Sequence, residues 1–266
     1  MVKKGGKAYN ATVSLGKTHR IASSGSKGNQ RKWYKDSTWY KADFLGYEGL
    51  AEHICSCLLE SSNVKAFAKY QAVLIQELDG PKEELLPGCM SPDFGNIITG
   101  DTLLLQLPEK HNVWLNPTGL VWTDLLLFCE GIRLYFGADI VCEMKQMLSF
   151  DIIVGNEDRI LRNFGLQETD GVFAFAPLFD HGLSLLSDTK SPERSSSLSE
   201  ITFRPFGCSR EDGLEFLRDA PLRCDMKKFE SLCQNIPVYP QKTIDRALSI
   251  LWKSLDETEG KLWTKY

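Results

Sequence analysis

Apolar and polar residues alternate in two different periods along this chain, and the change of period marks out its elements. Between Arg31 and Asp43 the aromatic residues Trp33, Tyr34, Trp39 and Tyr40 flank the polar stretch Lys35-Asp36-Ser37-Thr38, a pattern that predicts two short strands joined by a turn. From Glu48 to Leu59 the period lengthens. Leu50, Ile54, Cys57 and Leu58 fall at i, i+4, i+7 and i+8, which predicts a helix with one apolar stripe and with Glu48 and Glu52 together on the opposite side. Tyr70 to Leu78 reads as a further strand. Between Leu85 and Gly100 the breakers Pro87, Gly88, Pro92, Gly95 and Gly100 accumulate, so this segment is expected to be an irregular connector between two halves.

Beyond the connector the helical period dominates. Thr123 to Phe136 predicts a helix, Ile140, Met144, Met147 and Leu148 repeat the stripe within Asp139 to Ile153, and Lys242 to Trp252 predicts another amphipathic helix. The stretch 155–182 interrupts this habit. Gly155-Asn156-Glu157-Asp158-Arg159 is polar and loop-like, Asp170-Gly171 makes a turn, and Val172 to Phe179 reads as the return strand of a hairpin. The expected fold is α+β in two lobes: a small strand-rich lobe over residues 1–100 and a mainly helical lobe over 101–266. No repeat of fixed period is present.

Composition narrows this picture only a little. The 266 residues are 42% hydrophobic and 25% charged, as a folded domain requires. With 31 Lys+Arg against 35 Asp+Glu the formal charge is −4, and no helix-turn-helix pattern is evident, so no nucleic-acid role is expected. Eight scattered cysteines form no C-x-x-C pair and no zinc spacing, and are expected to be free thiols. No apolar run approaches the roughly 20 residues that span a bilayer, and the polar start does not read as a signal peptide. The expectation is a cytoplasmic protein without a membrane role, with delivery to a host cell left open.

The hairpin carries the chemistry. An out-and-back pair returns the chain to its starting level, so Asp180 is expected beside Asn163 and close to Asp158. Two carboxylates and an amide are hard oxygen ligands of the kind Mg²⁺ takes together with phosphates and water. Phosphoryl transfer further needs a cation on the phosphates, an acid orienting it, and a loop covering them. Gly25-Ser26-Lys27-Gly28 supplies a candidate loop and Lys41 the cation, while Glu48 and Glu52 are equal candidates for the acid. Gly88 and Cys89, in the connector, are counted with the cofactor-binding residues. Taken singly, each feature has a plainer reading as a flexible loop, a turn aspartate or a surface lysine. Gly16-Lys17-Thr18 is no Walker A motif, because the required glycine is replaced by Ala11.

The joint order of these elements, ending in Asn156-Glu157-Asp158 with Asn163-Phe164 and in Pro177-Leu178-Phe179-Asp180, resembles the HipA-like serine/threonine kinases, in particular their short bacterial forms. The resemblance runs from about Ile21 to Phe206. It implies a two-lobed protein-kinase-like fold that binds ATP and Mg²⁺ and phosphorylates protein Ser or Thr, autophosphorylation included. It further implies Asp158 as catalytic base, Asn163 and Asp180 as Mg²⁺ ligands, Lys41 on the ATP phosphates, and Glu52 as its helix partner. One position departs from the pattern. The histidine usual two residues after the catalytic aspartate is Ile160, so its contribution is missing or comes from Arg159 or Arg162. The alternatives are a small-molecule or lipid kinase of the same fold, or a catalytically weak ATP-binding module. A regulatory or antitoxin-like partner is left open. Serines 184–199 stand where an activation segment belongs, with Ser23, Ser24 and Ser26 as competing phosphorylation sites, while His181 is expected to be packed and hydrogen-bonded.

Overall fold

A computed structural model describes residues 12–21, 30–78, 84–185, 202–217 and 222–266. Strands β1 (Thr12–Leu15), β2 (Arg20–Ile21), β3 (Lys32–Lys35) and β4 (Thr38–Ala42) come first. Helix α1 (Glu48–Glu60) and strands β5 (Gln71–Glu77) and β6 (Leu85–Pro92) follow. The six strands form one sheet in the order β1-β5-β6-β4-β3-β2, antiparallel except for the β1–β5 pair. Asp36 and Ser37 both have positive φ, as a two-residue hairpin turn demands, and they set the register Lys35↔Thr38, Trp33↔Tyr40 and Lys32↔Lys41. One face of the sheet buries Trp33, Tyr40, Val73, Ile75 and Leu86 in a core of its own. The other face carries Lys32, Lys41 and Cys89 side by side and packs on α1.

Two expectations are corrected here. The segment 85–92 is no connector but β6, a central strand paired with both β4 and β5. Its breakers answer to packing. A Cβ on Gly49 would run into the Gly88 carbonyl, so Gly49 lets helix and sheet touch, and a Cβ on Gly88 would run into Lys41 O on the neighbouring strand β4. Pro87 keeps its carbonyl bond, accepting from Asp43 N at 2.8 Å. The second correction concerns α1, which is buried on all sides: Glu48 is 4% exposed and Glu52 2%. Burial of both acids is tolerated because each is satisfied. Glu48 accepts from the backbone N–H groups of Phe44, Leu45 and Tyr47, and Glu52 accepts from Lys41 and His181 N.

Strand β7 (Ile98–Thr99) leads into α2 (Gly100–Gln106), α3 (Val121–Phe136) and α4 (Val141–Val154). The last two end in left-handed glycines, Gly137 and Gly155, whose N–H groups close onto Arg133 O and Asp151 O. Strands β8 (Gly165–Thr169) and β9 (Val172–Phe175) make the expected hairpin, with β7 added to its edge and Asp170-Gly171 at its tip. The return strand stops at Phe175, short of the expected Phe179. Then come β10 (Thr202–Phe203), β11 (Cys208–Ser209), α5 (Arg210–Phe216), β12 (Leu222–Cys224), α6 (Met226–Leu232), α7 (Gln241–Thr258) and β13 (Trp263–Lys265). A single large core joins α1 to α3, α4 and α7. Helix α1 is also tied to the C-terminal elements by polar bonds: Asp225 N to Ser61 O (2.7 Å), Lys228 Nζ to Glu60 O (2.6 Å) and Tyr239 Oη to Asp43 Oδ2 (2.9 Å).

Candidate active site

Where the α1 face of the sheet meets the end of the hairpin, Lys41 stands between two carboxylates. Its Nζ lies 2.6 Å from Asp180 Oδ1 and 3.2 Å from Glu52 Oε1, with the Tyr70 ring centroid 5.2 Å away. Burial works against this ammonium, but Asp180, Tyr70 and Glu52 outweigh it and hold Lys41 well above its ordinary value. The two acids respond differently. Burial raises Glu52 despite Lys41, whereas Lys41 holds Asp180 low despite burial. Asp180 has φ +61°, a strained conformation for a residue with a side chain. The next residue, His181, donates its N–H to Glu52 Oε2 at 2.9 Å and sets its ring edge-on to Phe150, and burial with Arg159 nearby keeps its imidazole neutral. His181 is packed, as expected, but its hydrogen bond is made by the backbone, and its buried Nε2 has no partner.

The loop after α4 is built around Arg159, which is fully buried. Its Nε and Nη2 make a two-pronged bond to Asp151 (2.8 and 3.0 Å), and its Nη1 donates to the carbonyls of Asn163 (2.5 Å) and Phe179 (2.6 Å). One guanidinium thereby fastens the Asp158–Asn163 loop to the residue before Asp180. Asn156 bonds Asp151 through Nδ2 and accepts from Asp158 N through Oδ1 at 3.1 Å, fixing the turn that presents Asp158. Asn163 spends its Nδ2 on Asp158 O at 2.8 Å, so its Oδ1 is the atom left for a cation.

The expected site residues fall into four groups. Lys41, Glu52 and Asp180 are in direct contact, and Asp158 and Asn163 are joined to Asp180 through Arg159. Of the two candidate acids, Glu52 reaches Lys41 and Glu48 caps the start of α1. Gly88 and Cys89 lie within β6 and not in a connector; Cys89 is buried beneath Lys41 with Ala68 and Tyr70. Gly25, Ser26, Lys27 and Gly28 lie outside the described residues, as do Ser23, Ser24 and serines 187–199. Ser184 is described and fully buried. Neither arginine is free to replace the missing histidine, since Arg159 is committed internally and Arg162 pairs with Asp101 at 2.8 Å.

Lys32 went unnoticed in the sequence, and Arg159 was considered there only for another part. Lys32, opposite Lys41, is half-buried and pushed down by burial and by that second ammonium, with Asp180 and Glu52 opposing. Counting back from the Asp36-Ser37 turn would have found it. Arg159 was considered only as a stand-in for the missing histidine, because nothing local distinguishes a buried guanidinium from an exposed one. Among the described residues no group of three His, Cys, Asp or Glu side chains could hold a metal ion. Asp180 and the Asn163 amide nevertheless fit Mg²⁺, which keeps several waters and is ordinarily held by one or two side-chain oxygens plus phosphates.

No protein-family model matches the sequence, and no curated protein matches it. Solved structures do. The Helicobacter pylori proinflammatory kinase CtkA superposes with a TM-score of 0.57 at 14% identity, over 92% of this chain and 94% of CtkA. HipA of Shewanella oneidensis MR-1, solved with HipB and operator DNA, gives 0.53 at 13% identity, over 89% of this chain and 64% of HipA. The lysine strand, the buried-acid helix and the hairpin are thus parts of one known architecture: the chain has the HipA-like kinase fold.

Proposed function

We propose that the protein is an ATP- and Mg²⁺-dependent kinase acting on protein serine or threonine and on itself. The observation that carries this reading is the contact of Lys41 with both Glu52 and Asp180, beside the loop that presents Asp158 and Asn163. In this reading the two lobes, residues 1–100 and 101–266, hold the nucleotide between them. Lys41, steered by Glu52, neutralises phosphate oxygens, and Lys32 adds a second positive charge on the same sheet face. Asn163 Oδ1 and Asp180 would hold Mg²⁺, which would supply charge neutralisation on the transferred phosphoryl group. Asp158 orients the substrate hydroxyl and accepts its proton. Gly25 to Gly28 cover the phosphates, and residues 187–199 receive the regulatory phosphate.

A second reading rests on Ile160. Neither Arg159 nor Arg162 stands in for the family histidine, which favours an ATP-binding module that transfers slowly. One assay separates the readings: purified protein with labelled ATP, Mg²⁺ and a generic protein substrate, compared with its Asp158→Ala variant. Label transferred to protein by the wild type and lost in the variant supports the kinase. Saturable ATP binding without transfer supports the module, and transfer that survives in the variant removes the proposed site. Label on lipid or small-molecule acceptors alone would assign the substrate class differently.

A further inference from the structure

Four aromatic rings, those of Tyr34, Trp39, Phe94 and Phe179, stand partly exposed near the Lys41 cluster and take no part in the site described above. Strand alternation puts Tyr34 on the sheet face of Lys32 and Trp39 on that of Lys41, with Tyr34 and Trp39 opposite each other in the β3–β4 register. Both rings therefore share the face of the two ammonium groups. Trp39 lies about 7 Å along β4 from Lys41. Its ring meets that of Tyr34 with centroids 4.9 Å apart. Phe94 and Phe179 make a second pair at 5.5 Å, packed against Tyr70 and Cys89, and Phe179 directly precedes Asp180. Asp93 joins the two pairs: its carboxylate accepts from Tyr34 Oη at 2.8 Å and from Trp39 Nε1 at 3.2 Å, and its neighbour in sequence is Phe94. Ring faces at a ribose's span from a phosphate-directed lysine are surfaces on which a nucleobase stacks.

The segment that joins the pairs spends its polar groups internally. Pro92 has no N–H, and its carbonyl accepts from Ser91 Oγ at 3.0 Å. Asp93 N donates to Ser37 O at 2.8 Å, and Gly95 N donates to Asp93 Oδ1 at 3.1 Å. The Phe94 carbonyl accepts from Gln167 Nε2 on β8. Adenine and guanine differ along one edge: adenine offers an amino donor beside a ring-nitrogen acceptor, guanine a carbonyl acceptor beside an N–H donor. Telling them apart takes an acceptor and a donor held side by side for the base. Here the carbonyls on either side of Asp93 are engaged, and a donor by itself is met as well by guanine O6 as by adenine N1. We infer that the base is held against these rings by its faces and not by its edge, so that the site takes purine nucleoside triphosphates without choosing adenine over guanine. Stacking tolerates the exchange because every base has a π-face. The inference rests on the nucleotide-binding reading above and goes beyond it in naming guanine as well as adenine nucleotides as phosphoryl donors.

The test titrates the full chain with ATP, GTP and inorganic tripolyphosphate, each with Mg²⁺, by isothermal calorimetry. The dissociation constants of ATP and GTP are expected to agree within about threefold, and both to lie about tenfold or more below that of tripolyphosphate, which has no base to stack. Trp39→Ala is expected to weaken both nucleotides by about tenfold and to leave tripolyphosphate unchanged. Trp39→Phe keeps a ring but loses the bond to Asp93, and is expected to bind both nucleotides as the wild type does. ATP favoured over GTP by about tenfold or more would overturn the inference and leave the nucleotide-binding reading standing. So would a folded Trp39→Ala protein that binds both nucleotides normally, or nucleotides bound no better than tripolyphosphate. Binding of none of the three would remove the proposed function and the inference with it. The wild-type titrations decide the matter even if Trp39→Ala folds poorly.

Discussion

Lys41 neutralises two carboxylates, and under the proposed function it must neutralise a phosphate as well. That double duty makes its removal costly in two ways. Lys41→Ala leaves Glu52 facing Asp180 without a cation, so a stability loss of about 1–3 kcal/mol is expected along with a fall in ATP turnover on the order of 100-fold or more. Adding Glu52→Gln to Lys41→Ala is expected to restore much of the melting temperature and none of the turnover, which thermal melts and a labelled-ATP assay would show. Asp180→Ala removes the more exposed of the two acids and leaves the Lys41–Glu52 pair intact, so turnover is expected to collapse while Tm shifts by only a few degrees. A large loss of stability with full turnover would reduce Asp180 to a structural residue. Lys32 is the milder case. Lys32→Ala is expected to raise KM for ATP more than it lowers kcat, since a second phosphate cation serves binding first.

Among the elements, the loop of Asp158 and Asn163 and the segment before Asp180 share one guanidinium, and this sharing can be tested. Arg159→Leu leaves Asp151 buried and unpaired, at an expected cost of about 3–5 kcal/mol. The double variant Asp151→Leu with Arg159→Leu is expected to recover part of that stability but not turnover, because the carbonyls of Asn163 and Phe179 still lack their common donor. Denaturant melts of the three proteins would decide. This element also shows where sequence reading reaches its limit. The β3–β4 hairpin, α1 and the β8–β9 turn were legible because each is set by residues near in sequence: a two-residue polar turn, an i, i+4 stripe, an Asp-Gly pair. Strand β6 was not, since Pro87 and Gly88 are fitted to partners on β4, β5 and α1. The same holds for the buried acids of α1. Periodicity placed Glu48 and Glu52 on one side of the helix, but only the packed molecule shows that side covered. Of the site, the order Lys41, a glutamate of α1, Asp158, Asn163, Asp180 was readable, with Glu48 and Glu52 left equal by the pattern; the Arg159 contacts between the loop and Phe179 were not.

At the scale of the whole molecule, Asp43 joins the sheet to the C-terminal segment and gives the fold a pH dependence. Its oxygens accept from Gly49 N at 2.7 Å and Tyr239 Oη at 2.9 Å, yet burial pushes its carboxyl up from 3.8 to about 6. Because the folded value lies above the unfolded one, this group stabilises the fold fully below about pH 4 and loses that contribution as pH rises through about 6. Asp43→Asn is expected to flatten the change of Tm between pH 4 and 6 relative to wild type; parallel curves for the two proteins would contradict it. The same tie has a consequence in time. Helix α1 and its flanks bond to partners 160, 168 and 196 residues further along the chain. Contacts of such separation form late and slow folding. During synthesis the lysine strand and the acid helix therefore emerge long before residues 222–239 can hold them in place. The arrangement of Lys41 and Glu52 should therefore be completed abruptly, near the end of translation, and a nascent chain halted before residue 222 should expose α1 to proteases that the finished molecule resists.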